Sequence, residues 1–217
     1  MQTTKSRMRK SSFFYSFILF KTQTLKYLIP FKGTKMGQMS KEENVLELFF
    51  NESSKHWHFE DIVKKSRLTR DKVNKWLNRF MEEGIITKVK VKGKMAYYVS
   101  NFSNPSYKIR KRLYTLNIFY RKGFLNHLMQ IQARSVILFG SFARSDWNSE
   151  SDIDVFIYGS ANDFEQGKFE RKLGREIHPF VCKNKRDIKK FREGMLNNIL
   201  SGYVVKGDLS FLGDIDG

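Results

Sequence analysis

The chain has 217 residues, and 41% of them are hydrophobic. It contains one cysteine and has a formal net charge of +18. The hydrophobic fraction excludes wholesale disorder, and the length suits two small domains. One cysteine excludes an internal disulfide framework, so we predict a cytoplasmic protein. With only four scattered histidines besides, a structural zinc site is not expected.

Positive charge is concentrated in the N-terminal half of the chain. Residues 1–39 hold eight Lys and Arg and no acidic residue, and residues 105–134 hold seven and none. Residues 135–217, by contrast, hold 12 basic and 13 acidic residues. This distribution favours a polyanionic partner, most often nucleic acid.

Residues 1–39 begin with a basic stretch and continue with SSFFYSFILF, which resembles the first two regions of a signal peptide. No small-residue cleavage site follows, and the apolar run of residues 13–20 is shorter than the roughly 20 residues of a membrane span. We therefore expect a basic extension, disordered or not part of the native protein, and no membrane association.

Residues 40–101 show three helical patterns followed by two alternating runs. Apolar positions at helical spacing occur in KEENVLELFFNES, in HWHFEDIVKKSR and in a third run that begins after Thr69 and ends at Gly84. The runs IITKVKVK and MAYYVS, joined at Gly93-Lys94, predict a β-hairpin.

This order of elements resembles a winged helix-turn-helix domain, in which the third helix enters the DNA major groove and the hairpin, or wing, follows the backbone. The resemblance implies DNA binding and is compatible with a homodimer, although such domains also serve as protein-docking modules. The basic side chains predicted to contact DNA are Arg70, Lys72, Lys75 and Arg79 on the third helix and Lys88, Lys90, Lys92 and Lys94 on the wing.

Residues 102–134 predict a long basic connector helix. It follows a turn at Asn104-Pro105, and Gly123 is a point where it kinks or breaks. Its apolar positions are Leu113, Leu116, Ile118, Phe119, Leu125 and Leu128. The cluster KIRKR, residues 108–112, predicts an exposed basic face that extends the nucleic-acid surface.

Residues 135–217 begin with SVILFGS, a pattern typical of a buried strand that ends at Gly140-Ser141. A strand that turns into a helix there presents free backbone N–H groups to an anion, and Arg144 one turn later adds positive charge. The next strand carries Asp152 and Asp154 on one face. Two such carboxylates favour a cation, so the pattern predicts a nucleotide-phosphate cradle beside a Mg²⁺ site.

FGSFARS followed by SDIDV resembles the signature of the minimal nucleotidyltransferases of the DNA polymerase beta superfamily, except that Ser145 stands where the family usually has Gly. Together with the winged helix, it resembles archaeal proteins described as transcriptional regulators. The resemblance implies transfer of a nucleoside monophosphate, AMP from ATP, to an acceptor. Some members are antitoxins that adenylylate a toxin, so a HEPN-type toxin is the expected partner.

The resemblance also implies a third catalytic carboxylate on the following strand. His178 occupies that position and Glu176 lies two residues earlier on the same face. Either could complete the catalytic site, or His178 could be a hydrogen-bonded strand residue and Glu176 a surface ion-pair partner. Two functions stay open: an active transferase, or a DNA-binding regulator whose transferase domain only binds nucleotide.

The expected fold class is α+β, with a winged helix-turn-helix at 40–101, a connector helix at 102–134 and a polymerase-beta-like nucleotidyltransferase domain with a small mixed sheet at 135–217.

Overall fold

The computed structural model describes residues 40–210, so the expectation for residues 1–39 lies outside the described residues. In chain order the elements are α1 (Lys41–Asn51), β1 (Trp57–His58), α2 (Phe59–Ser66), α3 (Arg70–Glu82), β2 (Ile86–Val89), β3 (Tyr97–Ser100), α4 (Pro105–Arg121), α5 (Phe124–Gln130), β4 (Ala133–Phe139), α6 (Gly140–Arg144), β5 (Ile153–Gly159), α7 (Gln166–Leu173), β6 (Ile177–Cys182), α8 (Lys185–Ile188), α9 (Glu193–Leu200) and β7 (Tyr203–Lys206).

Three helices and a small antiparallel sheet form the N-terminal unit, residues 40–100. Helix α1 begins with a capping box, in which the Ser40 hydroxyl accepts from the Glu43 N–H and the Glu43 carboxylate accepts from the Ser40 N–H. The helices bury one face each, and the sheet has the strand order β1-β3-β2. The buried helical residues are Val45, Leu46, Phe49, Phe50, Ile62, Ser66, Val73, Leu77 and Phe80.

The hairpin forms where it was predicted, but its strands are shorter. Strand β2 ends at Val89 and β3 begins at Tyr97, so Lys90, Lys92 and Lys94 lie in the connecting loop rather than on a strand. Val91 in that loop is 44% exposed, so the alternating Val-Lys pattern has no buried surface that would hold it in the sheet. Strand β1 has two residues, too few for a periodic signal.

The connector is two helices rather than one, because Gly123 adopts φ +77° between α4 and α5. The expectation that the whole basic cluster of residues 108–112 is exposed was wrong for two of its members. Lys111 is 1% exposed and Arg110 pairs with Glu42. The residues that α4 buries are Tyr107, Lys111, Tyr114, Thr115 and Phe119, and Leu113, which was predicted to be apolar core, is 40% exposed.

The C-terminal sheet has four strands in the order β6-β5-β4-β7. Strands β5 and β6 are parallel and the other neighbours are antiparallel, which confirms the predicted mixed sheet. One face packs on α8 and α9 through a small cluster that includes Phe139 and Phe156. The other face joins a hydrophobic core shared with the N-terminal unit and the connector helices. The N-terminal unit therefore shares one hydrophobic core with the sheet and the connector helices.

Candidate active site

The turn from β4 into α6 is shaped by Gly140. Its φ is +70°, and a Cβ atom at this position would lie 1.9 Å from Oδ2 of Asp154. Both the backbone angle and the space require glycine here. In the adjacent strand Asp154 pairs with Phe139, the residue before Gly140, so the carboxylate lies directly against the turn.

Three further side chains assemble beside this turn. Asp152 immediately precedes β5, and the Ile153 N–H donates to the Glu176 carbonyl at 2.9 Å, which fixes the register of β5 against β6. Asp152 Oδ2 lies 3.6 Å from His178 Nδ1, and Glu176 Oε2 lies 3.7 Å from His178 Nε2. One ligand atom from each of the three residues lies within 4.8 Å of the others.

The structure thus brings together Asp152 and both candidates for the third catalytic position. His178 pairs with Asp154 in the parallel register. Asp154 lies outside the three-residue cluster, with its carboxylate against Gly140. Asp152, Glu176 and His178 have side chains at least 41% exposed, so the cluster is open to a ligand.

Burial raises the pKa of Asp154 above its ordinary value, and the charge of Asp152 raises it further. His178 and Arg144 act in the opposite direction. The ionised carboxylate is therefore held at a cost in free energy, which a bound cation would offset.

The donor set of two carboxylates and one imidazole fits a divalent cation. Mg²⁺ prefers oxygen ligands, whereas an imidazole nitrogen is also a good ligand for transition metals such as Mn²⁺ and Zn²⁺. Asp152, Glu176 and His178 would hold the cation, with Asp154 beside them.

The predicted phosphate-binding residues Ser141 and Arg144 lie on α6, the helix that begins at the turn. Ser141 is half-buried on the first turn of α6, and Arg144 ends that helix. The Arg144 guanidinium donates to Asp146 Oδ2 and to Asn198 Oδ1, both at 2.9 Å, and half of its side chain is exposed. Because half of its side chain is exposed, the guanidinium keeps access to solvent.

Ser145 stands where the nucleotidyltransferase signature usually has glycine, and its backbone adopts a conformation that suits glycine. It has φ +65° in the left-handed region, the conformation for which glycine is suited. Its hydroxyl is buried and, among the described residues, has no hydrogen-bond partner. The backbone thus keeps the shape that glycine would give, at a cost in stability.

The predicted DNA-contacting residues are all exposed in the N-terminal unit. Arg70 pairs with Glu60, and Arg79 pairs with Glu83. The remaining predicted residues form no ion pair with a carboxylate in the described part of the chain. They are Lys72 and Lys75 on α3 and the hairpin lysines Lys88, Lys90, Lys92 and Lys94.

Sequence reasoning missed Arg175, which directly precedes Glu176 and hydrogen-bonds the loop before Asp152. It also misplaced Lys111, whose ammonium group is buried. Lys111 falls one turn after Tyr107 and three residues before Tyr114, so helical spacing from these aromatic residues was the signal for its buried position.

Residues 122–212 match the family model described as a nucleotidyltransferase domain. No curated protein matches the chain. Among solved structures, a ferric uptake regulator from Francisella tularensis with iron aligns at 15% identity and a TM-score of 0.28, covering 74% of this chain and 98% of that one. Within residues 40–210, no helix has the length and apolar character to cross a membrane.

Proposed function

We propose that the protein is a divalent-cation-dependent nucleotidyltransferase that transfers AMP from ATP to a protein acceptor. The observation that carries the proposal is the cluster of Asp152, Glu176 and His178 beside the Gly140 turn, within the nucleotidyltransferase domain. Mg²⁺ is the proposed physiological cation, and Mn²⁺ suits the imidazole ligand as well.

Each residue has a role in this proposal. The backbone N–H groups of the Gly140–Ser141 turn and the Arg144 guanidinium bind the triphosphate. Asp152, Glu176 and His178 would hold the cation, with Asp154 beside them, and a bound cation would neutralise phosphate charge. An acceptor hydroxyl oxygen bonds to the α-phosphorus, pyrophosphate leaves, and Glu176 or His178 accepts the hydroxyl proton.

The N-terminal unit is proposed to be a DNA-binding winged helix. Support comes from the order of three helices and a hairpin, and from the exposed basic residues on α3 and the wing. The acceptor is proposed to be a toxin protein, of the HEPN type by resemblance, which would make this chain an antitoxin.

A second function is favoured by a specific observation. His178 stands where active relatives are expected to carry a carboxylate, and an imidazole is a poor Mg²⁺ ligand. The alternative is a DNA-binding transcriptional regulator whose nucleotidyltransferase domain binds ATP without transferring AMP.

Incubation with Mg²⁺ or Mn²⁺ and α-³²P-labelled ATP, with and without the product of the neighbouring gene, separates the two functions. The transferase predicts a covalently labelled protein acceptor, lost in Asp152→Asn. ATP binding without labelled product would leave the regulator. Absence of both binding and transfer would contradict both proposals.

A further inference from the structure

The loop between α6 and β5, residues 145–152, carries Asp152 at its end and has no regular structure. Its backbone is held by Arg175, whose Nη1 donates to the carbonyl oxygens of Asn148, Ser149 and Ser151 at 2.7, 3.1 and 3.0 Å. Ser151 directly precedes Asp152. The guanidinium therefore fixes the backbone from which the Asp152 carboxylate extends.

Arg175 also connects this loop to the N-terminal unit. Its Nη2 donates to Oδ1 of Asn51, the last residue of α1, at 3.0 Å. The Ser149 N–H donates to the Asn51 carbonyl oxygen at 3.0 Å. The loop is thus bonded to the end of α1 directly and through Arg175.

Lys111 makes a parallel connection from α4. Its ammonium group, 1% exposed, donates to the carbonyl oxygen of Phe50 at 2.9 Å and to that of Trp147 in the loop. The ammonium nitrogen lies 4.3 Å from the centre of the Trp147 ring, and the Arg175 guanidinium carbon lies 5.1 Å from it. Two cations therefore hold one aromatic side chain of the loop.

We propose that Arg175 is a positioning residue for the metal site and that it acts together with Asn51 and Lys111 of the preceding helices. Arg175 is adjacent to Glu176 in sequence and bonded to the residue before Asp152, so it fixes the backbone on both sides of the cluster. A planar guanidinium with several fixed donors suits this task, and an ammonium group does not reproduce it. The inference rests on the proposed function, since it assumes that Asp152, Glu176 and His178 bind a cation.

Mn²⁺ alone, followed by electron paramagnetic resonance at 25 °C, is the probe. We expect Arg175→Lys to weaken Mn²⁺ binding about tenfold, the lower end of the range for residues that orient metal ligands. Arg171→Lys, an exposed residue on α7, is the matched control and should bind Mn²⁺ as the wild type does.

Asn51 supplies a second test that leaves Arg175 intact. We expect Asn51→Ala to weaken Mn²⁺ binding several-fold and Asn51→Asp to restore it to within twofold, because a carboxylate accepts the Arg175 hydrogen bond. Hydrogen exchange of residues 145–152 should rise in Arg175→Lys and Asn51→Ala but not in Asn51→Asp.

A merely structural role would lower the melting temperature of these variants without changing Mn²⁺ affinity in the folded protein at 25 °C. Affinities within twofold of wild type in both Arg175→Lys and Asn51→Ala would overturn the inference while leaving the proposed function standing. A wild-type protein that binds no Mn²⁺ would overturn the inference together with the proposed metal site.

Discussion

The carboxyl group of Asp154 lies partly buried against Gly140, one strand away from His178. Burial raises its pKa, so the folded protein binds a proton more tightly at this site than the unfolded chain does. The contribution of Asp154 to stability therefore falls as pH rises between the unfolded and folded pKa values. At neutral pH the ionised Asp154 carboxylate therefore lowers the free energy of unfolding, a cost that accompanies its proposed role at the site.

Asp154→Asn should consequently raise the free energy of unfolding at pH 7, because the cost of burying the charge is removed, while weakening metal-dependent ATP binding. Urea denaturation at pH 7 and pH 3.5 measures the first effect, and the gain should shrink at the lower pH, where the carboxyl group is mostly protonated in both states. A variant less stable than wild type at pH 7 would contradict the assignment.

Ser145 presents a second local cost, from backbone strain and an unpartnered buried hydroxyl. We expect Ser145→Gly to stabilise the protein by about 1 kcal/mol in urea denaturation, after the extra backbone entropy of glycine is subtracted. Ser145→Ala removes the hydroxyl but keeps the left-handed backbone, so it should stabilise less. Equal effects of the two variants would show that relief of the left-handed backbone angle does no more than offset the backbone entropy of glycine.

At the scale of elements, strand β6 decides the chemistry of the site. It places His178 in register with Asp154, and Glu176 precedes the strand beside Asp152. An imidazole in a position suited to a carboxylate predicts a preference for Mn²⁺ over Mg²⁺.

His178→Asp should therefore strengthen Mg²⁺ binding about tenfold and narrow the difference between Mn²⁺ and Mg²⁺ affinities, because it supplies a third carboxylate. Calorimetric titration with each metal measures this. His178→Asn is the control, since it removes the imidazole without adding charge. Unchanged Mg²⁺ affinity in His178→Asp would show that His178 does not contact the cation.

The wing and α3 carry the proposed DNA-binding function. If Lys72 and Lys88 each contact a phosphate, replacement of either by Ala should weaken binding to a 30-base-pair duplex and reduce the salt slope by about 0.9. Lys189→Ala, an exposed lysine of the C-terminal part, is the control and should leave the slope unchanged. Affinity that does not depend on salt would contradict a phosphate-binding role.

The helical and strand periods were enough to predict the three N-terminal helices and the hairpin, whereas the mixed sheet was implied by the resemblance to the nucleotidyltransferases. Gly140, Asp152 and Asp154 could also be placed, because a strand-turn-helix order leaves few alternatives. Arg175 could not, since its partners are backbone carbonyl oxygens distant in sequence, and any sequence can supply these. Lys111 was wrongly predicted to be exposed because it is charged, although it lies at helical spacing from the buried Tyr107 and Tyr114.

At the scale of the whole molecule, the two halves share one hydrophobic core, and Lys111 lies within the contact between them. Burial lowers its pKa to about 8, with Asp146 acting in the opposite direction. Between pH 8 and about 10.5 the unfolded chain therefore binds more protons at this site than the folded protein, so the contribution of Lys111 to stability rises with pH across this range.

Comparison with Lys111→Met isolates this effect from other groups that titrate in the same range. The free energy of unfolding of the wild type, relative to the variant, should rise by about 2 kcal/mol from pH 7.5 to pH 10.5. Urea denaturation across the range measures it. A constant difference would show that the Lys111 ammonium is not buried between the two halves.

The most direct test of the central claim is the affinity for ATP, measured by equilibrium dialysis with Mn²⁺, with Mg²⁺ and with EDTA. A site in which Asp152, Glu176 and His178, with Asp154 beside them, hold a cation against the triphosphate predicts binding at least about tenfold tighter with Mn²⁺ than with EDTA, and loss of that gain in Asp152→Asn. Equal ATP affinity with Mn²⁺ and EDTA, or an unchanged metal dependence in Asp152→Asn, would contradict the account.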